Sequence, residues 1–144
     1  MMASTFDRLD QEFSVFPIMR ASDAPSDEEV VRAASALGVA FHDDYVAFLR
    51  RYGAAMVGSL PVFGLRPVKV MGQRWSVVDV TQWFRNEKWP GTHAWYVISE
   101  DGFGNPIGVD EDGRVMLFDH DAGQEQVLAG DFEHFLTEHC LKTP

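Results

Sequence analysis

The chain has 144 residues, 46% of them apolar, with eighteen aromatics, twelve basic and twenty-two acidic side chains, giving a net charge of −10. That length suits one domain with a core large enough to need no disulfide or metal, and the apolar content excludes a disordered chain. No apolar run reaches the length of a membrane span, and Asp7, Arg8, Asp10 and Glu12 interrupt any signal-peptide core, so neither membrane association nor export is expected. The single cysteine, Cys140, precludes an internal disulfide and suits a reducing cytoplasm, the expected location.

The charge is unevenly spread. Residues 1–60 hold nine acids and five bases, residues 61–98 two acids and five bases, and residues 99–144 eleven acids and two bases. Such a balance disfavours nucleic acid, whose affinity comes largely from neutralised phosphates. It fits a basic protein partner, and equally an acidic protein that is simply kept in solution by its charge.

In chain order, the segment 1–24 reads as an N-terminal extension or, at Phe13–Met19, an edge strand in which Pro17 blocks one ladder bond. Ser26-Asp27-Glu28-Glu29 is a capping box opening a helix with Val30, Ala34 and Leu37 on one face and Gly38 as its left-handed stop. Tyr45, Phe48, Leu49 and Tyr52 fall at i, i+3, i+4 and i+7 and predict a second helix, with Asp43 and Asp44 in its first turn, Arg50 and Arg51 in its last and Gly53 beyond. The short join predicts that these two helices pack as a hairpin. Strands are predicted at Leu60–Leu65, Val68–Met71 and Trp75–Val78, and a short helix at Thr81–Glu87 ended by Trp89-Pro90-Gly91. Ala94–Ser99, Pro106–Val109 and Arg114–Asp119 predict a three-stranded antiparallel meander, and Asp131 a cap for a last helix with Phe132, Phe135, Leu136 and Cys140 inward. The sum is a single α+β domain, mainly an antiparallel twisted sheet with helices packed against it, its core at about residues 25–141.

Motifs for chemistry fail on spacing. Asp110-Glu111-Asp112-Gly113 in an EF-hand frame puts Gly108 at the first ligand position and Asp119 at the twelfth, so a hairpin turn is preferred to a calcium loop. Asp119-His120-Asp121 in an extended segment puts the two carboxylates on one side and the imidazole on the other. Gly102-Phe103-Gly104-Asn105 lacks the third glycine of a nucleotide loop and reads as a turn with Phe103 folded back on the core. Trp75, Trp83, Trp89 and Trp95 interleave with Arg74, Arg85 and Lys88, and core packing is preferred to base stacking. Cys140, on the apolar face of the last helix, reads as a buried, inert thiol, and His42 as a solvated residue at a helix start. No cofactor or metal is expected.

The order of these signals resembles the SUKH superfamily, the domain of fungal cell-wall-synthesis regulators and many bacterial toxin-immunity proteins. The resemblance rests on Leu37-Gly38, on Asp44–Leu49 before Tyr52-Gly53, and on Val77–Thr81. It continues through Tyr96–Ile107 (YVISEDGFGNPI), Gly113-Arg114-Val115, Asp119-His120 and Asp131–Leu136. Phe41-His42 stands where the family usually has Leu-Pro, and Arg51-Tyr52-Gly53-Ala54 where it usually has Asn-Gly, the Gly cap being kept. The resemblance implies a non-enzymatic binding domain, foremost an immunity protein that neutralises a cognate nuclease- or deaminase-type toxin domain. A regulatory scaffold module without a toxin partner is the alternative, and a small metal-dependent hydrolase using Asp119, His120 and Asp121 is a third reading. The expected partner face comprises Glu100, Asp101, Asp110, Glu111, Asp112, Asp119 and Asp121.

Overall fold

The computed structural model describes residues 1–141. Its first element is helix α1 (Ala3–Val15), followed by a 3-10 turn at Pro17–Met19. The predicted edge strand at Phe13–Met19 is therefore absent. Thr5, Leu9 and Phe13, four apart, form a buried helical stripe that outweighs the local alternation, and Pro17 opens the 3-10 turn, where a missing N–H costs nothing. The helix is tied into the domain: the Tyr52 hydroxyl donates to Asp10 Oδ1 at 2.7 Å and the Thr5 hydroxyl to Glu133 Oε2 at 2.7 Å. The Arg51 guanidinium, 2.5 Å from Asp10, holds that carboxyl below its usual range. The domain thus begins well before residue 25.

Helices α2 (Asp27–Leu37) and α3 (Asp43–Tyr52) form as their caps predict. Ser26 Oγ accepts from the Glu29 amide while the Ser26 amide donates back to the Glu29 carboxylate at 3.1 Å. Glu29 also receives both Nη groups of Arg66, which with the Ser26 amide lowers its pKa to about 2. All four residues of the predicted α3 face are buried, whereas α2 buries Val30, Ala33 and Leu37 and lies against α4 as well as α3.

A two-stranded hairpin, β1 (Ala55–Val57) and β2 (Leu60–Val62), follows. The strands predicted at Val68–Met71 and Trp75–Val78 are instead a 3-10 turn at Lys69–Met71 and the start of α4 (Val77–Asn86). Ser76 caps α4 by accepting from the Asp79 amide, and Val77, Val80, Thr81 and Phe84 are buried at helical spacing. The short apolar runs around Val70 and Trp75 carried a strand signal that the capping residue overrides.

Four antiparallel strands in sequential order form the main sheet: β3 (Tyr96–Glu100), β4 (Pro106–Val109), β5 (Val115–Asp119) and β6 (Gln124–Ala129). Three were predicted. The fourth, Gln-Glu-Gln-Val-Leu-Ala, is exposed on both faces through Val127, so it carries no alternation to read. Helix α5 (Phe132–Phe135) is capped by Asp131, whose Oδ1 accepts from the His134 amide at 2.7 Å, and continues as one π turn at Leu136–Cys140. Phe132, Phe135, Leu136 and Cys140 are buried, as predicted. The core closes between α3, α5 and the sheet, where the Phe132 ring meets Tyr45 at 5.2 Å and Phe48 at 5.4 Å between centroids. Of the tryptophans, Trp95 is buried and Trp75 and Trp89 are half-buried. Trp83 is exposed, with the Arg74 guanidinium 5.1 Å from its ring, against the core reading for that residue.

Candidate partner-binding surface

The meander decides which turns are neighbours. It places the β3–β4 turn (101–105) and the β5–β6 turn (120–123) at one end of the sheet, and the β4–β5 turn (110–114) at the other. Strands of four to five residues separate the ends by about 15 Å. The seven predicted carboxylates therefore do not make one face. Glu100, Asp101, Asp119 and Asp121 lie at the first end, and Asp110, Glu111 and Asp112 at the second.

At the first end a polar chain joins the two turns. Asp101 Oδ1 accepts from the amides of Phe103 and Asn105, both at 2.9 Å, and its Oδ2 accepts from the Asn105 side-chain amide at 2.8 Å. Asn105 is buried, and its Oδ1 accepts from the His120 amide at 3.0 Å and from the ring Nδ1–H. An amide oxygen can only accept, so this contact fixes the proton on Nδ1. Asp119 Oδ1 accepts from the amides of Asp121 and Ala122 at 3.0 and 3.3 Å. Glu100 is largely buried and paired with Arg74 at 2.6 Å; burial pushes its carboxyl pKa up, and Arg74 only partly offsets that. Asp121 remains exposed, with Oδ1 3.3 Å from His120 Nε2.

The side chain that this scaffold presents is Phe103, at 78% exposure the most exposed of the large apolar residues described. It is not folded back on the core. The Asp101 carboxylate draws the turn together by accepting from the Phe103 and Asn105 amides. Gly104 has φ +81°, a conformation that favours glycine.

The second end is clamped to α3. The His42 amide donates to the Tyr96 hydroxyl oxygen at 3.0 Å, the Tyr96 hydroxyl donates to His42 Nδ1 at 2.8 Å, and His42 Nε2–H donates to the Glu111 carbonyl at 3.1 Å. Burial raises the Tyr96 pKa and keeps the hydroxyl proton in that chain. The ring lies against Gly113, where a Cβ would stand 3.0 Å from Cδ2. His42 is thus a half-buried strut rather than a solvated residue. Asp110 accepts from the amides of Asp112 and Arg114 and from the Arg114 guanidinium at 3.0 Å, which leaves Glu111 and Asp112 outward.

The carboxylates thus sort into two kinds. Glu100, Asp101, Asp110 and Asp119 are held by internal bonds, whereas Glu111, Asp112 and Asp121 are exposed. Asp112 and Asp121 make only surface contacts, to Arg114 at 3.8 Å and His120 at 3.3 Å. Sequence cannot make that division, because an aspartate tying a turn and one facing water carry the same letter. Asn105 was missed as the link between turns; the Asp-Gly-x-Gly-Asn spacing is the signal that marks it. Among the described residues, no group of three or more His, Cys, Asp or Glu side chains is placed to hold a metal ion. Asp119, His120 and Asp121 do not converge as a set, since Asp119 turns to backbone amides and His120 Nδ1 to Asn105. Only His120 Nε2 and Asp121 face each other, the turn bringing them to one side where an extended segment would part them. No helix described is long and apolar enough to cross a membrane.

The architecture defines a small α+β domain whose sheet turns carry exposed carboxylates. The chain belongs to the SUKH_5 family, described as SMI1-KNR4 cell-wall, which it matches over residues 2–142. The match takes in α1, in keeping with the contacts that helix makes to Tyr52 and Glu133. Among curated proteins, none matches the chain.

Proposed function

We propose that the protein is a non-enzymatic binding domain of the immunity type, which neutralises a basic toxin domain by covering the surface that domain uses on its own substrate. The observation that carries this reading is the first end of the sheet: an exposed Phe103 on one turn and the exposed carboxylate of Asp121 on the other. An aromatic anchor on a braced turn loses little entropy on docking, and the carboxylate selects a positively charged surround. Nuclease-type toxins present such a surround because they must hold phosphate. The excess of acids over bases in residues 99–144 supports the sign of the partner.

The test is binding of the purified chain to the C-terminal domain of the protein encoded immediately upstream. Submicromolar binding that suppresses that domain's activity is the expected result. Co-purification with a regulatory assembly and no toxin-like domain would replace this reading by the scaffold alternative.

A further inference from the structure

We propose that β6 is a strand-accepting edge, and that the partner docks by adding an extended, basic segment of its own chain there as a fifth strand of the sheet. The proposal rests on the binding reading above and specifies how the same end of the molecule engages its partner.

A sequential four-stranded sheet has two edges, and they are treated differently. Along β3 the edge is closed: the Phe63 amide donates to the Ile98 carbonyl at 2.8 Å and the Ser99 hydroxyl to the Pro61 carbonyl at 2.5 Å. Beyond β6 no strand follows among the described residues, and Gln124, Glu125, Gln126 and Val127 are all exposed. Alternate residues of an antiparallel strand turn both N–H and C=O away from their neighbour, so this stretch offers a row of unpaired backbone groups. The row stops at Leu128, whose carbonyl is taken by His139 Nε2 at 2.9 Å.

Soluble proteins blunt such edges with lysine, proline, a bulge or a covering segment. From Gln124 to Val127 there is no lysine or proline. The one register irregularity of this pair lies at its far end, between Val115 and Met116. Glu125 is the only charge in the strand, and it does not guard the edge. Its carboxylate reaches Gly91, where a Cβ would stand 2.6 Å from Oε1. The strand is left open although Val127 is 56% exposed.

Charge chooses the occupant. The edge begins at the end that holds Asp119, Asp121 and Phe103, within the most acidic third of the chain. A second copy would join two chains of net charge −10 across the seam. A segment with lysine or arginine at alternate positions meets the same edge with opposite sign. Main-chain hydrogen bonds would then supply affinity and the flanking carboxylates selection.

Amide hydrogen exchange of the full chain, free and bound to the upstream-encoded domain, tests this. Outward amides between Gln124 and Val127 should slow at least tenfold in the complex. Gln126→Lys and Val127→Lys, both at exposed positions, should each lower affinity at least tenfold without shifting the melting temperature. Unchanged β6 exchange in a complex that does form overturns this inference and leaves the binding reading standing. A free protein that is already dimeric, with β6 protected, overturns it in favour of a self-interface. Failure of the domain to bind at all removes both readings together.

Discussion

The two ends of the four-stranded sheet have the same sequence character, acidic turns with glycines, yet the structure uses them in opposite ways. At the second end the turn is an anchor: His42 bridges Tyr96 to the Glu111 carbonyl, and Gly113 packs on the imidazole. At the first end the bracing runs between two turns, through Asp101, Asn105 and His120, and its product is an aromatic held out into water. Where the bonds run, to α3 through His42 or from one turn to the next through Asn105, separates a structural turn from a presenting one. A patch read as seven acids becomes a scaffold of four and three outward acids divided between the two ends.

The largest effect expected of a single change is at Asn105. Asn105→Ala leaves the Asp101 carboxylate and the His120 amide without their shared partner in a buried site, a loss of about 2–3 kcal/mol. The melting temperature falls, and partner affinity falls with it because both turns loosen. Phe103→Ala separates the two roles. Affinity drops by about 2 kcal/mol, roughly thirtyfold, while the melting temperature is unchanged because the ring is 78% exposed. His42→Ala is the mirror experiment at the other end. Thermal unfolding reports a loss of about 1–2 kcal/mol, with affinity unaltered.

How much of this was legible follows from what each residue must signal. The α2 and α3 boundaries were readable because a capping box and a one-sided apolar stripe act locally. Residues 69–71 and 75–78 misled because short apolar runs do not distinguish strand from helix start. β6 was invisible because backbone pairing alone holds its outer half, and backbone pairing leaves no trace in side-chain pattern. Phe103 was misplaced for a related reason: an aromatic is assigned inward by default, and only the closure of its turn by Asp101 sends it outward.

A smaller effect probes the first end through pH. Burial holds the Glu100 carboxyl above its ordinary value of 4.5, so on acidification the folded chain takes up this proton before the unfolded chain does. Ionised Glu100 therefore costs stability above its folded pKa, and the cost vanishes as pH falls below 4.5. Thermal melts of Glu100→Gln should equal or slightly exceed wild type at pH 7, with the difference closing toward pH 4. An advantage for wild type at neutral pH would mean that the Arg74 pair outweighs burial.

The central claim is that the first end, and not the second, meets the partner. Association rates with the upstream-encoded domain, measured at low and at physiological salt, test it most directly for two double variants. Phe103→Ala with Asp121→Lys should slow association at least tenfold at low salt, with the gap narrowing as salt rises. Glu111→Lys with Asp112→Lys should associate within about twofold of wild type, since only the distant end is reversed. The opposite pattern, slow association for Glu111→Lys with Asp112→Lys and wild-type rates for the other pair, would contradict the account.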